Sequence, residues 1–257
     1  MSSKINWLLQ NTAPGDLILQ SWLSENNISP PLAAKYVKSR WLTKLRSGVY
    51  FRTGREPNWS DALWCLQNQL KAKVFLASIT SLLWQGRSHY LQLTEKECWL
   101  SAESKTVLPK WFKEFVGIQW RIVPGQKLSA IENNFRTELI IKQKKIHASG
   151  PELAAYELLC SVPLSISFEH AAELFQGLVN LNPRKVEALL MQSQSVQVKR
   201  LYLFLSDFYE HSWLKRVDIS KIDLGSGKRQ IIAGGKLDSR YQITVPEPFS
   251  VKRMSHG

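Results

Sequence analysis

Residues 28–52 (ISPPLAAKYVKSRWLTKLRSGVYFR) constrain the fold more than any other segment of this chain. Ser29 is a favourable N-cap for a helix, and Pro30 suits the first helical position, where its missing N–H leaves no hydrogen bond unmade. The pattern then changes to the alternation of a β-hairpin, with Ser47-Gly48 as a two-residue turn. A short helix followed at once by a hairpin indicates the second half of a winged helix-turn-helix.

The residues before this segment predict two further helices. Apolar residues at helical spacing predict a first helix over residues 3–11. A second helix is expected over about 16–26, with Asp16 as its N-cap and its apolar side chains facing inward. The few residues after it have the length of a helix-turn-helix turn. Three helices and a hairpin therefore predict a compact domain over residues 1–56.

Positive charge is concentrated in this domain. The chain as a whole carries a formal charge of +13, which favours polyanions, nucleic acid before an anionic membrane surface. Residues 1–56 contain eight Lys and Arg against three acids, and five of those eight fall within residues 35–46. From residue 91 onward the ratio is 23 to 17, which is an ordinary mixed surface. The domain therefore predicts contact with double-stranded DNA.

The polar residues of the helix and the hairpin suit different DNA contacts. Four lie on the helix face opposite its apolar stripe or just after it, where they would meet base edges in the major groove. These four are Lys35, Lys38, Ser39 and Arg40. Three cations on the hairpin suit phosphates, because phosphate contacts need charge without fine geometry. These three are Lys44, Arg46 and Arg52. The alternative is a solvated face on a structural winged helix that contacts another protein.

Residues 57–257 predict a larger C-terminal domain in which strands and helices are mixed, so the expected fold class is α+β. Two helices are expected near 60–71 and 76–85, and a helical region over about 151–211. Strands are expected near 97–101, 117–123 and 137–148 (a hairpin), and again near 214–219, 229–233 and 240–245.

Enzyme motifs in the chain are incomplete. Residues 225–228 (GSGK) resemble part of a phosphate-binding loop, but Ile222 stands where its first glycine should be and Arg229 where Ser or Thr should follow. Glu103 and Lys105 have the acid-x-lysine spacing of metal-dependent nucleases without a convincing preceding Asp. We therefore expect no enzymatic activity, with a metal-dependent DNA nuclease as the alternative.

Cysteine and histidine usage gives no sign of a metal site. Cys65, Cys98 and Cys160 are too far apart for a zinc finger or a disulfide framework, and the histidines lack metal-ligand spacing. We expect no metal, no cofactor and a reduced, cytoplasmic setting. No charged leader precedes an apolar run, and no apolar stretch approaches the ~20 residues of a membrane span. Neither a signal peptide nor a membrane span is expected.

Three segments, in order along the chain, resemble the AbiEi family of antitoxins. Residues 41–50 (WLTKLRSGVY) are similar to the end of that family's N-terminal winged helix. Residues 149–159 (SGPELAAYELL) look like the entry to its helical region, and residues 234–246 (GGKLDSRYQITVP) look like its C-terminal ending. The order of the three makes the resemblance more specific than any one of them.

The resemblance implies a repressor and an antitoxin in one chain. Members of the family bind inverted repeats in their own promoter and counter a nucleotidyltransferase-like toxin encoded next door, in phage-abortive-infection modules. Residues 30–31 (PP) depart from the polar residues of many relatives, which leaves the sequence preference open. A ligand-sensing transcription factor with a small-molecule pocket in its second domain is a further alternative. Five positions inherit the DNA role: Lys35, Lys38, Ser39, Lys44 and Arg46.

Overall fold

The computed structural model describes residues 4–86, 96–125, 128 and 133–251. Its N-terminal elements are α1 (Lys4–Asn11), β1 (Leu17–Leu19), α2 (Gln20–Glu25), α3 (Pro30–Lys38), β2 (Leu42–Arg46) and β3 (Val49–Arg52). The strands form an antiparallel sheet in the order β1-β3-β2. Residue 3, the expected start of the first helix, lies outside the described residues. This order of elements is a winged helix-turn-helix, which confirms the predicted N-terminal fold.

The prediction of a helix beginning at residue 16 is wrong, because residues 17–19 form β1. Ile18 faces the core beneath α1 and α3, whereas Leu17 and Leu19 face α4 (Trp59–Asn68) on the other side. A short strand that is buried on both faces is a continuous apolar run, which periodicity cannot distinguish from a buried helix. Asp16 therefore caps no helix, and its carboxylate accepts a hydrogen bond from the backbone N–H of Ala13.

The hairpin of β2 and β3 is confirmed, with Ser47-Gly48 at its turn. Gly48 has a φ of +70°, a conformation that glycine adopts without steric cost. A bulge between Lys44 and Arg46 interrupts the alternation of β2. Leu45, which alternation predicts to point inward, is consequently 37% exposed.

The next part of the chain is built on a mixed five-stranded sheet. After α4 come β4 (Val74–Leu76), α5 (Ser78–Trp84), β5 (Glu97–Ala102), α6 (Lys110–Lys113), β6 (Gln119–Ile122), a 3-10 helix (Asn133–Phe135), β7 (Arg136–Ile141) and β8 (Lys144–Ser149). The strand order is β6-β5-β4-β8-β7. The expected strands and hairpin between 97 and 148 are confirmed within two residues, whereas β4 is not predicted by the sequence.

The expected helical region follows the sheet. It consists of α7 (Pro151–Cys160), α8 (Phe168–Gln176), α9 (Pro183–Gln192) and α10 (Val196–Phe208). After it come 3-10 helices (Ser212–Arg216 and Ile219–Lys221), β9 (Arg229–Gln230), β10 (Lys236–Asp238), β11 (Ile243–Val245) and α11 (Glu247–Val251). The strand predicted at 214–219 is wrong, because Trp213 is buried and donates from its indole N–H to the carbonyl oxygen of Leu178. That anchor favours a tight turn over an extended chain.

The winged helix is joined to the rest of the chain by polar contacts as well as by packing. The side-chain amide of Gln69 donates to the Leu17 carbonyl oxygen (2.8 Å) and accepts from the Leu19 N–H (2.9 Å), so it continues the β1 edge. Lys144 of β8 forms an ion pair with the nearly buried Asp16. These contacts hold β1 against α4 and β8. They also hold the rest of its sheet, the hairpin of β2 and β3 that forms the wing.

Glu157 of α7 is fully buried where α7 meets α5 and β8. Its carboxylate accepts hydrogen bonds from the Ser78 backbone N–H (2.9 Å) and from the Ser149 hydroxyl (2.8 Å). Burial raises the pKa of Glu157 from its ordinary value of 4.5 to about 7, against the opposing effect of these hydrogen bonds. The carboxyl group therefore holds a proton in the folded chain at pH values where it is ionised in the unfolded chain.

The free energy of unfolding should consequently depend on the ionisation of Glu157. Because the folded chain binds this proton more tightly, the contribution of Glu157 to stability is greatest below about pH 4.5 and is lost as the pH rises to about 7. Glu157→Gln keeps the shape of the side chain but does not titrate. In urea unfolding, we expect the wild type to lose stability relative to this variant across that range. A difference between the two proteins that stays constant from pH 4.5 to 7 would contradict the assignment.

Candidate nucleic-acid interface

Helix α3 is positioned by its first turn and by two buried side chains. Ser29 is the N-cap residue with extended backbone, and Pro30 occupies the first helical position, although the Ser29 hydroxyl makes no capping hydrogen bond. Ala33 and Tyr36 pack into the core of the winged helix with α1 and β1. This fixes which face of α3 is turned outward.

The outer face of α3 carries the cations that the sequence singles out. Lys35, Lys38 and Ser39 are all exposed, so the structure brings these three residues together on one surface. Lys35 and Lys38 lie in the last turn and Ser39 is the C-cap residue. Their positive charge is therefore placed at the negative end of the helix dipole, which is a stabilising arrangement. Toward the N-terminus the same face carries the smaller, uncharged Pro31 and Ala34.

Arg40 lies beyond the helix and not on its face. Its φ of +60° ends α3 in the left-handed conformation, and its N–H donates to the Val37 carbonyl oxygen at 3.0 Å. The Trp41 N–H reaches back to the Tyr36 carbonyl oxygen at 2.9 Å. The exposed Arg40 side chain therefore projects from the backbone between the end of α3 and the start of the wing.

The two cations of the wing have different surroundings. Lys44 lies on the exposed part of β2. Arg46 is about half exposed, and its Nη2 lies 3.0 Å from Oε2 of Glu114, the residue that caps the C-terminus of α6. Glu114 also lies 3.8 Å from the Lys110 ammonium group. Arg46 therefore already has a carboxylate partner, and that partner belongs to the larger part of the chain.

Arg52 supports the base of the wing from a half-buried position. Its guanidinium carbon lies 5.7 Å from the centre of the Trp41 ring, within the range of a cation–π contact. Its Nη1 atom is buried without a hydrogen-bond acceptor among the described residues, and burial lowers its pKa. Trp41 itself is 42% exposed between α3 and β2. Sequence reasoning does not select Trp41, although a lone Trp between a helix and a basic hairpin is a usable signal.

The chain from α3 to β2 contributes only positive charge to the surface, and the carboxylate that meets it there, Glu114, pairs with Arg46. Residues 28–52 contain no acidic residue. Asp16 is nearly buried and paired with Lys144, so it does not oppose this charge at the surface. We call this surface the basic face, and it consists of five exposed residues: Lys35, Lys38, Arg40, Lys44 and Arg46. Such a face attracts a polyanion.

The incomplete enzyme motifs have structural roles. The loop at 225–228 directs carbonyl oxygens, and not N–H groups, toward the guanidinium of Arg200, which is the reverse of a phosphate cradle. Glu103 lies 3.8 Å from Arg136. Within the described ranges, no group of three or more His, Cys, Asp or Glu could hold a metal ion. None of the helices in those ranges is long and apolar enough to cross a membrane.

Comparisons with known proteins agree with this architecture. Residues 1–93 match the family described as "Transcriptional regulator, AbiEi antitoxin N-terminal domain". Residues 95–246 match "Transcriptional regulator, AbiEi antitoxin, Type IV TA system". No curated protein matches the sequence.

A solved structure, the RV2827C protein from Mycobacterium tuberculosis, is similar to this chain with a TM-score of 0.64. The match covers 98% of this chain and 92% of that one at 15% sequence identity, so it shows a shared fold alone. The two family matches together span nearly the whole sequence. The chain belongs to the AbiEi antitoxin family of transcriptional regulators from type IV toxin–antitoxin systems.

Proposed function

We propose that this chain represses its own promoter by binding inverted repeats in double-stranded DNA, with residues 1–56 as the DNA-binding domain. The observation that carries the proposal is the basic face, five exposed cations on a winged helix whose residues 28–52 include no acid. Family membership as a transcriptional regulator supports it independently.

In this proposal α3 lies in the major groove and the wing lies along the backbone. Lys35, Lys38 and Ser39 contact base edges, because they share the outward face of α3. Lys44 and Arg46 contact phosphates from β2.

The two remaining arginines act at the edges of this interface. The Arg40 side chain projects from the backbone beyond the end of α3 and contacts the phosphates beside the groove. Arg52 stays beneath Trp41 and orients the start of the wing.

We also propose that residues 57–257 form the antitoxin domain and neutralise a nucleotidyltransferase-like toxin encoded by the neighbouring gene. Membership of a type IV antitoxin family supports this role. Co-expression of the full chain with the neighbouring gene should restore growth to cells that the toxin alone arrests. If growth is not restored when both proteins are made, the proposed antitoxin function is wrong.

A reporter fused to the promoter tests the proposed repressor function separately. Expression of the full chain should lower the output of a reporter driven by the promoter of its own gene. Lys35→Glu with Lys38→Glu should abolish this repression and should still restore growth in co-expression, because the changes lie on α3. A reporter that responds equally to the wild type and to the double variant would overturn the proposed role of α3.

The ion pair between Arg46 and Glu114 predicts a variant with stronger DNA binding. Glu114→Gln frees Arg46 for phosphate and removes a carboxylate beside the wing. We expect affinity for DNA of any sequence to rise by about 2- to 5-fold at low salt, which is the scale of an exposed ion pair. Fluorescence anisotropy with labelled duplexes measures the change. Asp207→Asn, which breaks the surface pair with Arg240, makes the same change in net charge and should have no effect. Equal gains from both variants would show that only net charge matters.

A further inference from the structure

A cleft on the side of the five-stranded sheet lies apart from the basic face. Its volume is about 430 Å³, which is the size of a small-molecule site. The end of α4, the segment leading into β4, and the strand β7 surround it. Its walls include Lys71, Lys73, Phe75, Glu103 and Arg136. None of these residues belongs to the proposed DNA interface.

The charges around the cleft leave an excess of positive charge. Of its two carboxylates, Glu138 is already neutralised, since its Oε2 lies 2.6 Å from the Lys145 ammonium group. Glu103 is half exposed and lies near Arg136. Lys71 and Lys73 are exposed on the rim and have no carboxylate partner among the described residues. Two cations are therefore left to face a ligand.

Arg136 lines the cleft as a nearly buried cation. Its side chain is only 10% exposed, and its guanidinium carbon lies 3.2 Å from the centre of the Phe75 ring. Its Nη2 lies 3.8 Å from Oε1 of Glu103, which is too far for a hydrogen bond, and its Nη1 has no acceptor among the described residues. Burial lowers the pKa of Arg136, and the nearby carboxyl groups of Glu157 and Glu103 act in the opposite direction. A cation withdrawn from water in this way is stabilised by an anion placed nearby.

We propose that this cleft binds a small phosphorylated ligand of the size of a mononucleotide. In this proposal the phosphate lies among the three cations that line the cleft, the exposed Lys71 and Lys73 and the nearly buried Arg136. The half-exposed Glu103 side chain moves aside when the phosphate binds. The remaining volume of the cleft accommodates the rest of the ligand. A site of this kind in the larger domain is what a ligand-responsive regulator would require, and it does not depend on the proposed DNA contacts.

Isothermal titration calorimetry of the full chain tests the site. The probes are the nucleoside 5′-monophosphates, the matching nucleosides, inorganic phosphate and a 5′-phosphorylated single-stranded oligonucleotide. We expect the nucleosides not to bind, because charge-assisted contacts to the phosphate supply most of the affinity. At least one monophosphate should bind about tenfold more tightly than inorganic phosphate, because its nucleoside part fills the rest of the cleft. Lys71→Ala with Lys73→Ala should weaken monophosphate binding by about tenfold or more.

Two control variants distinguish binding in the cleft from a general effect of net charge and from binding at the proposed DNA interface. Lys215→Ala with Lys228→Ala removes two exposed lysines elsewhere in the chain and should bind the monophosphate as the wild type does. Lys35→Glu with Lys38→Glu should also bind it normally. The proposal is overturned if no monophosphate binds, if the Lys71 and Lys73 variant binds unchanged, or if only the oligonucleotide binds. None of these results would bear on promoter repression.

Discussion

Lys35→Glu with Lys38→Glu should lower the affinity of the chain for its promoter DNA by about 100-fold or more near 0.1 M salt. Each lysine contact to DNA contributes roughly 1–3 kcal/mol, and reversal adds repulsion from the phosphates to the loss of attraction. Both side chains are exposed in the last turn of α3, so the substitutions leave no cavity in the core. Electrophoretic mobility shift or anisotropy titrations measure the effect.

The control for this prediction keeps the change in net charge and moves its position. Lys215→Glu with Lys228→Glu reverses two exposed lysines outside the winged helix: Lys215 follows Leu214 of the core that the helical region forms, and Lys228 follows Gly227, whose carbonyl oxygen accepts from Arg200. It should lower DNA affinity by no more than a few-fold, since screening limits distant charges to about 10 Å at this salt concentration. Thermal unfolding of both variants checks that they fold. Similar losses of DNA affinity in the two double variants would show that the basic face is not the DNA-binding surface.

Arg200→Met should cause a large loss of stability. Arg200 of α10 is 3% exposed. Its guanidinium donates to four backbone carbonyl oxygens: Nε to Leu224 (2.8 Å), Nη1 to Gly227 (2.6 Å) and Gln242 (3.2 Å), and Nη2 to Gly225 (3.0 Å). It thereby joins the helical region to the loops that carry β9 and β11. Methionine fills part of the space but leaves these carbonyls unpaired, at about 3 kcal/mol or more in total.

Urea unfolding of Arg200→Met and of a surface control measures this cost. Arg240→Met removes an arginine whose exposed guanidinium pairs with Asp207 at 2.7 Å. That loss should be about 0–1 kcal/mol, as for other surface ion pairs. Arg200→Lys should fall between the two, because an ammonium group cannot reach four carbonyls arranged around a planar guanidinium. Equal, small losses for Arg200→Met and Arg240→Met would contradict the role assigned to Arg200.

The elements that the sequence predicts well are those with local signals at their ends. Pro30, Pro151 and Pro183 each stand at the first position of a helix, and the helices α3, α7 and α9 begin there. Among the elements that it misses, β1 and β4 are short and buried. Strands β1 and β4 have three residues each, and tertiary pairing holds them in place where local propensity does not.

The two proposed functional surfaces also differ in how far the sequence predicts them. Lys35, Lys38 and Ser39 can be found from helical spacing alone, because one helix carries all three. The partnership of Arg46 with Glu114 cannot, since it depends on how α6 packs beside the wing. The cleft around Arg136 is also invisible in the sequence, because α4, β4 and β7 contribute its residues from separate stretches of the chain.

The proposed roles of α3 in reading bases and of the wing in binding phosphates can be tested in one set of titrations. Affinities of the wild type, Lys35→Ala, Ser39→Ala and Lys44→Ala are measured for the promoter inverted repeats and for a scrambled duplex at several salt concentrations. Lys35→Ala and Ser39→Ala should lower the ratio of promoter to scrambled affinity. Lys44→Ala should weaken both duplexes alike and reduce the salt slope by about one. Sequence-independent losses of similar size in all three variants would contradict the placement of α3 in the major groove.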